Sequence, residues 1–230
     1  VHDVTEEELP QQLAVLHREH AVDDLIDVEL PDSPRLDLII EGAGFTKARR
    51  HQGRRRLRRL YTLADRVGPD MRVLVVGLNP SPASAESGIG FHRPGNRFWP
   101  AVINAGLASV DRDPDHALAH HGMGMTDIVK RTTRRADELS KDEFAAGMQR
   151  VEQLVAWLVP TTVLFVGLQG WRAAVDRKAG RGWQDGDLAG RPVYLMPSTS
   201  GLNAHDTVDT LTGHVRQSLC PSSSQGGHRS

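Results

Sequence analysis

Two short runs in this 230-residue chain, MRVLVVGLN (71–79) and TTVLFVGL (161–168), hold unbroken apolar stretches where a half-exposed strand would alternate. A strand that is apolar at every position is buried on both faces, which requires a covered, mostly parallel sheet. Helical signals follow the apolar runs. NRFWPAVINAGL has Asn96 as a cap and Gly106 as a stop. SKDEFAAGMQRVEQLVAWLVP opens on a Ser140–Glu143 capping box and ends at Pro160. QGWRAAVDRK and NAHDTVDTLTGHVRQSL read as two more helices, and MGMTDIVK and RPVYLMPS as two more strands. This alternation predicts an α/β fold: a three-layer α/β/α sandwich with a short, mostly parallel central sheet.

The flanks differ from this body. Residues 1–32 hold ten acids against one base, Arg18, a balance of −9; since the whole chain carries −1, the rest carries +8. An acidic leader thus precedes a basic body, and a basic body favours polyanions, nucleic acid first among them. Residues 1–35 are expected to form a leader with one weak helix, LPQQLAVLHREH, and a turn-rich linker, LPDSPR; 36–220 the folded domain; 221–230 a disordered tail. Between Lys47 and Arg59 stand eight Lys or Arg and no acid, and Leu57, Leu60 and Leu63 recur at helical spacing. That segment is expected to be a basic amphipathic helix, either a solvated face or an arm on phosphates. The one cysteine, Cys220, rules out an internal disulfide framework and a four-thiolate cluster. No apolar run reaches membrane-span length and no basic-then-apolar segment opens the chain, so a cytoplasmic protein with no membrane partner is expected.

In such a sheet ligands bind at the carboxyl ends of the strands, and three ends carry polar chemistry: GLNP, MTDIVKRTT and MPSTSGLNAH. The first continues as GLNPSPASAESGIGFHRPGNRFW (77–99). It lacks both glycine-rich phosphate-loop patterns, and Pro80 and Pro82 remove amide donors. His116, His120 and His121 lack complementary acids or cysteines and read as a surface segment, not a metal site. Ser200 and His205 lack the G-x-S-x-G elbow of a serine nucleophile.

GLNP, the small-residue loop after it, Phe91 and PGNRFW together resemble the mismatch-specific uracil/thymine-DNA glycosylases of the uracil-DNA glycosylase superfamily, and MTDIVKRTT and MPSTSGL resemble that family's later segments. The resemblance spans roughly residues 71–215. It implies a monomeric, monofunctional glycosylase that flips uracil, or a related pyrimidine in a mismatch, out of DNA and hydrolyses its N-glycosidic bond to leave an abasic site, with no metal or organic cofactor. By the same resemblance Asn79 orients the attacking water, the backbone near Leu78 reads the pyrimidine carbonyls, Ser84 faces the pyrimidine C5 region and Phe91 stacks on the base. Leu202 is the wedge that fills the gap, Gly201 lets the backbone approach DNA, and Ser198, Thr199, Ser200 and Asn203 lie on the phosphate side. Asp127 stands where the family pattern has Lys or Asn; its carboxylate either caps its own loop or acts on the water. The chain also has Ser198-Thr199-Ser200 in place of Asn-Pro-Ser, and no arginine after the wedge. Two other readings remain open on the residues: a non-catalytic module sensing flipped or mismatched bases, and an unrelated α/β nucleotide-processing enzyme.

Overall fold

The computed structural model describes residues 5–51 and 54–221. The chain begins with helix α1 (Leu9–Glu19), strand β1 (Leu25–Val28), helix α2 (Leu36–Gly42) and strands β2 (Phe45–His51) and β3 (Arg54–Arg59). The three strands form an antiparallel sheet in the order β1-β3-β2. Leu9, Leu13, Leu36, Ile39, Ile40, Phe45 and Leu57 close a small core between this sheet and the two helices.

The basic run is therefore not the helix expected from its leucine spacing. Leu57 and Arg59 are buried while Arg58 between them is exposed, the period of a strand. Residues 52–53 of the run lie outside those described, as do residues 222–230 of the expected tail. The leader supplies what a strand of arginines needs. Asp27 lies directly across from Arg56 and takes both prongs of its guanidinium, at 2.9 and 2.7 Å. Glu29 pairs with Arg54 at 2.8 Å and Asp32 with Arg55 at 2.7 Å. Three of the leader's ten acids are thus neutralised by arginines of β3.

The second sheet carries the sequence-predicted architecture. In chain order come strand β4 (Val73–Gly77), helices α3 (Pro82–Ser87), α4 (Phe98–Asn104) and α5 (Pro114–His121), strand β5 (Met123–Asp127), helix α6 (Lys141–Leu158), strand β6 (Thr162–Val166), helix α7 (Gln169–Ala174), strands β7 (Gly182–Leu188) and β8 (Arg191–Met196), and helix α8 (Val208–Ser218). The order is β5-β4-β6-β8-β7, parallel except for β7, an antiparallel edge that the sequence reading passed over. Alternate residues of β4 face opposite cores. Leu74 and Val76 point to α6 and α7; Val73 and Val75 point to α4, α5 and α8. This is the three-layer sandwich, and both apolar runs are buried on both faces as their composition requires. Among the described residues no helix is long and apolar enough to cross a membrane.

The expected box at the start of α6 is present, formed by Ser140 and Glu143. At α4 the cap position is Arg97, one residue after the expected Asn96, whose Oδ1 still accepts from the Phe98 amide at 3.0 Å. Helix α6 lies hard against the exit of β5: a Cβ built at Gly147 would sit 2.1 Å from the Ile128 carbonyl oxygen. In an exposed helix Gly→Ala gains about 1 kcal/mol. Here the methyl must push helix from sheet, so Gly147→Ala is expected to destabilise by about 1–3 kcal/mol. Urea unfolding measures the sign directly.

Candidate functional site

The carboxyl ends of β4, β5, β6 and β8 open into one cleft of about 760 Å³. Leu78, Asn79, Ser84 and Phe91 line it from the first loop, Asp127 from the end of β5, and Ser198, Ser200 and Leu202 from the loop after β8. Three sequence-distant strand ends therefore meet in one place.

Asn79 is held by its amide nitrogen. Nδ2 donates to the Arg131 carbonyl at 2.9 Å, to Thr133 Oγ1 at 2.8 Å and, more weakly, to the Pro80 carbonyl at 3.3 Å. Two carbonyl oxygens can only accept, so they fix which end of the amide is nitrogen. Oδ1 then remains as an acceptor at the cleft wall. Thr133 is itself oriented by donating to the Arg135 carbonyl at 2.9 Å. The loop after β5 is thus a clamp on Asn79, a role that the sequence pattern RTT did not disclose.

Asp127 is 8% exposed and lies across from Gly77 in the β4–β5 ladder. A Cβ at position 77 would meet Asp127 Oδ1 at 2.2 Å and Phe91 Cζ at 3.4 Å. Only glycine leaves room there for the carboxylate, with the ring tip beside it. Among the described residues no donor bonds the Asp127 carboxylate, so it does not cap its own loop. Burial pushes its pKa up from 3.8 to about 6, with Lys130 and Arg150 pulling down and Asp65 adding to the rise.

Phe91 has a left-handed backbone, φ +56°, a strained conformation for an aromatic residue. One face of its ring stacks on Phe98 at a centroid distance of 4.1 Å, and the ring is half-buried at the cleft. Phe98, fully buried at the start of α4, packs as the backing plate of Phe91. Ser84 is buried on α3, its hydroxyl 3.2 Å from that of the capping Ser81. Leu78 lines the cleft and packs its side chain against Gly170 of α7.

The loop after β8 is a braced arch. Arg97 donates to the Ser200 carbonyl at 2.8 Å and to the carbonyls of Asn203 and Asp206, while its own amide donates to the Thr199 carbonyl at 2.9 Å. Asn203 spends its side chain inside the loop: Nδ2 donates to the Ser198 carbonyl at 2.8 Å and to Asp206 Oδ2 at 2.9 Å, and Oδ1 accepts from the His205 amide. It shapes the arch rather than reaching out of it. At Gly201 a Cβ would meet the Gly95 carbonyl oxygen at 3.1 Å, so this glycine first serves loop-to-loop packing. Ser198 and Ser200 accept from the amides of Ser200 and Leu202, which leaves each hydroxyl hydrogen free to donate outward. Leu202 crowns the arch, 83% exposed, the most exposed of the large apolar side chains described.

Charge at the rim is selective. Arg131 is tied to Glu143 and Arg135 to Asp137, whereas Arg93 and Arg134 line the cleft, exposed and without an ion pair among the described residues. The histidines His116, His120 and His121 lie on α5, and no group among the described residues has the makings of a metal site.

Asp127 gives a prediction. Its proton is bound more tightly in the folded chain than in the unfolded one, so ionisation above about pH 6 costs the fold stability, and the cost vanishes as the pH falls below about 4. Asp127→Asn should therefore stabilise by about 1–3 kcal/mol at pH 8, with the gain fading toward pH 4. Denaturant melts across this range test it; a variant destabilised at pH 8 would contradict the assigned environment.

Residues 64–218, about two thirds of the chain, match the family model of the uracil DNA glycosylase superfamily, and the chain belongs to that superfamily. Membership brings DNA glycosylase chemistry, with DNA as the substrate.

Proposed function

We propose that this member of the uracil DNA glycosylase superfamily excises uracil, and related pyrimidines in mismatches, from DNA and leaves an abasic site. The observation that carries the reading is the pairing of Asn79, clamped through its nitrogen with Oδ1 turned to the cleft, and Asp127, an unbonded buried carboxylate across from Gly77. An amide oxygen and a carboxylate in one wall are what a hydrolytic water needs: one acceptor to orient it, another to take its proton.

The extruded base enters the cleft and lies against Phe91, which Phe98 supports from behind. The C1′–N1 bond breaks first, and water held by Asn79 Oδ1 then attacks C1′ of the resulting cationic sugar. The bonding pair leaves with the base, whose carbonyl charge is met by backbone amides near Leu78, and the water's proton passes to Asp127. The negative charge of Asp127 also favours the cationic sugar that precedes attack. With its pKa about 6, Asp127 is largely ionised at neutral pH yet basic enough to accept a proton. Among the described residues no lysine lines the cleft to open the sugar by a Schiff base, which supports a monofunctional enzyme. Ser84 puts a small side chain on the wall, which supports room for a substituent at C5. Leu202 fills the vacated stack, and the Ser198 and Ser200 hydroxyls meet phosphates.

Single-turnover excision from uracil-containing oligonucleotides tests this. Asn79→Ala should lose two or more orders of magnitude on single and double strands alike, by about what loss of a positioned nucleophile costs. Asp127→Asn should lose less, and the double variant little more than Asn79→Ala, because both act on one water. Leu202→Ala should be impaired on the duplex and not on the single strand. Near-normal rates in Asn79→Ala would overturn the assignment, and binding without cleavage in the unaltered protein would favour the non-catalytic module.

The ion pairing also sorts the arginines. Replacing Arg93 and Arg134 by Ser should flatten the dependence of log K for DNA on log salt by about two phosphate contacts. Replacing Arg54, Arg55 and Arg56 should leave the slope nearly unchanged, because Glu29, Asp32 and Asp27 already neutralise them. Equal changes for the two sets would place the small sheet on the DNA.

A further inference from the structure

Behind Asp127 lies a second carboxylate outside the catalytic scheme above. Asp65, in the segment that leads to β4, is 3% exposed and accepts three hydrogen bonds: from Lys130 Nζ at 2.7 Å, Arg150 Nη1 at 2.9 Å and Thr126 Oγ1 at 2.7 Å. Arg150, on α6, uses its other terminal nitrogen on Thr126 Oγ1 at 2.8 Å and on the backbone carbonyl of Asp127 at 2.6 Å. Lys130 also donates to the Leu63 carbonyl. Even the N-terminal unit presses on this point, since a Cβ at Gly42 would meet Asp65 Oδ2 at 2.6 Å.

The cluster holds two cations and two carboxylates, so it is neutral, but its bonds are unevenly shared. Asp65 takes both cations and the threonine hydroxyl, while the carboxylate of Asp127 takes none of them. Burying four charges is expensive, and structure alone would be served as well by apolar side chains of similar volume. What this arrangement does, and an apolar one would not, is keep the nearest cations occupied.

We infer that Asp65 is a positioning residue: by engaging Lys130 and Arg150 in a buried, charge-balanced frame, it keeps the Asp127 carboxylate unpaired and directed into the cleft. The inference rests on the reading of Asp127 as the proton acceptor. The other charges around Asp127 do not compete for it. Arg66, buried next to Asp65, is turned to Asp115 at 2.8 Å, which also pairs with Arg18. On the cleft side Arg135 is held by Asp137, and neither Arg93 nor Arg134 bonds Asp127. Remove Asp65, and Lys130 and Arg150 lose their carboxylate partner and are left to act on Asp127. Remove Lys130, and Asp127 faces Asp65 with one cation fewer between them. The two changes push Asp127 in opposite directions, and the charges acting on its proton affinity have those signs.

The test is the titration of the Asp127 carboxyl carbon by NMR in Asp65→Asn and Lys130→Met, beside the pH profile of single-turnover uracil excision. Asp65→Asn should lower the midpoint of Asp127, and Lys130→Met should raise it, each by about one pH unit. The acid limb of the rate profile should move with it. Shifts of the same sign, or none, would overturn the inference. Should Asp65→Asn fail to fold, Lys130→Met decides alone: a midpoint that stays or falls contradicts the inference. A midpoint that moves as expected while the rate profile stays put would leave Asp65 as positioner and remove Asp127 as base.

Discussion

Gly77 and Asp127 face each other at the last rung of the parallel β4–β5 ladder, and the pairing runs on past both strands, with the Ile128 amide on the Gly77 carbonyl and the Val129 amide on that of Leu78, each at 3.0 Å. This register sets the rest of the site. It places the Asp127 carboxylate over the one position in β4 that has no side chain, and it carries the loop after β5 alongside Asn79, where Arg131 and Thr133 take hold of the amide. A slip of one residue would turn Asp127 to the other face of the sheet. The wall of the cleft is therefore made by backbone pairing, and the side chains inherit their places from it.

The same strand end is where the molecule gives up stability. An ionised Asp127 in a buried setting, a left-handed Phe91, an exposed Leu202 and the buried charges of Asp65, Lys130 and Arg150 are each unfavourable in isolation. They lie around one cleft, while buried apolar side chains build the two clusters on either side of the sheet. A carboxylate with a raised pKa beside a strained aromatic residue in one cleft fits a site arranged for chemistry.

Much of this was legible in the chain. Unbroken apolar runs, capping signals and strand–helix alternation determine the central sheet, and the polar strand ends point to the cleft, because these features depend on local pattern. The misread segment is instructive. Leu57, Leu60 and Leu63 have helical spacing, but Leu57 belongs to a strand and Leu63 to the cleft wall, so the period was a coincidence of two environments. What makes 54–59 a strand is pairing with β1 through Asp27, nearly thirty residues earlier, and no local pattern reports that. The clamp on Asn79 was hidden for a similar reason: two of its three acceptors are backbone carbonyls, which carry no residue signature. Arg150 did leave a trace. It lies three residues after Gly147 and four before Leu154, both buried, so an arginine there on α6 must find a buried partner.

The central claim is that a flipped uracil lies on Phe91 with its attacking water held by Asn79 Oδ1 beside Asp127. A crystal structure of the protein with a duplex carrying 2′-fluoro-2′-deoxyuridine, which resists cleavage, examines it at the atomic level. The expected result is the base in the cleft against Phe91, Leu202 in the gap it leaves, and a water within hydrogen-bond distance of Asn79 Oδ1 on the side of C1′ away from the base. A uracil bound elsewhere, or one in the cleft with Asn79 released from Arg131 and Thr133 and bonded to the base instead, would contradict it.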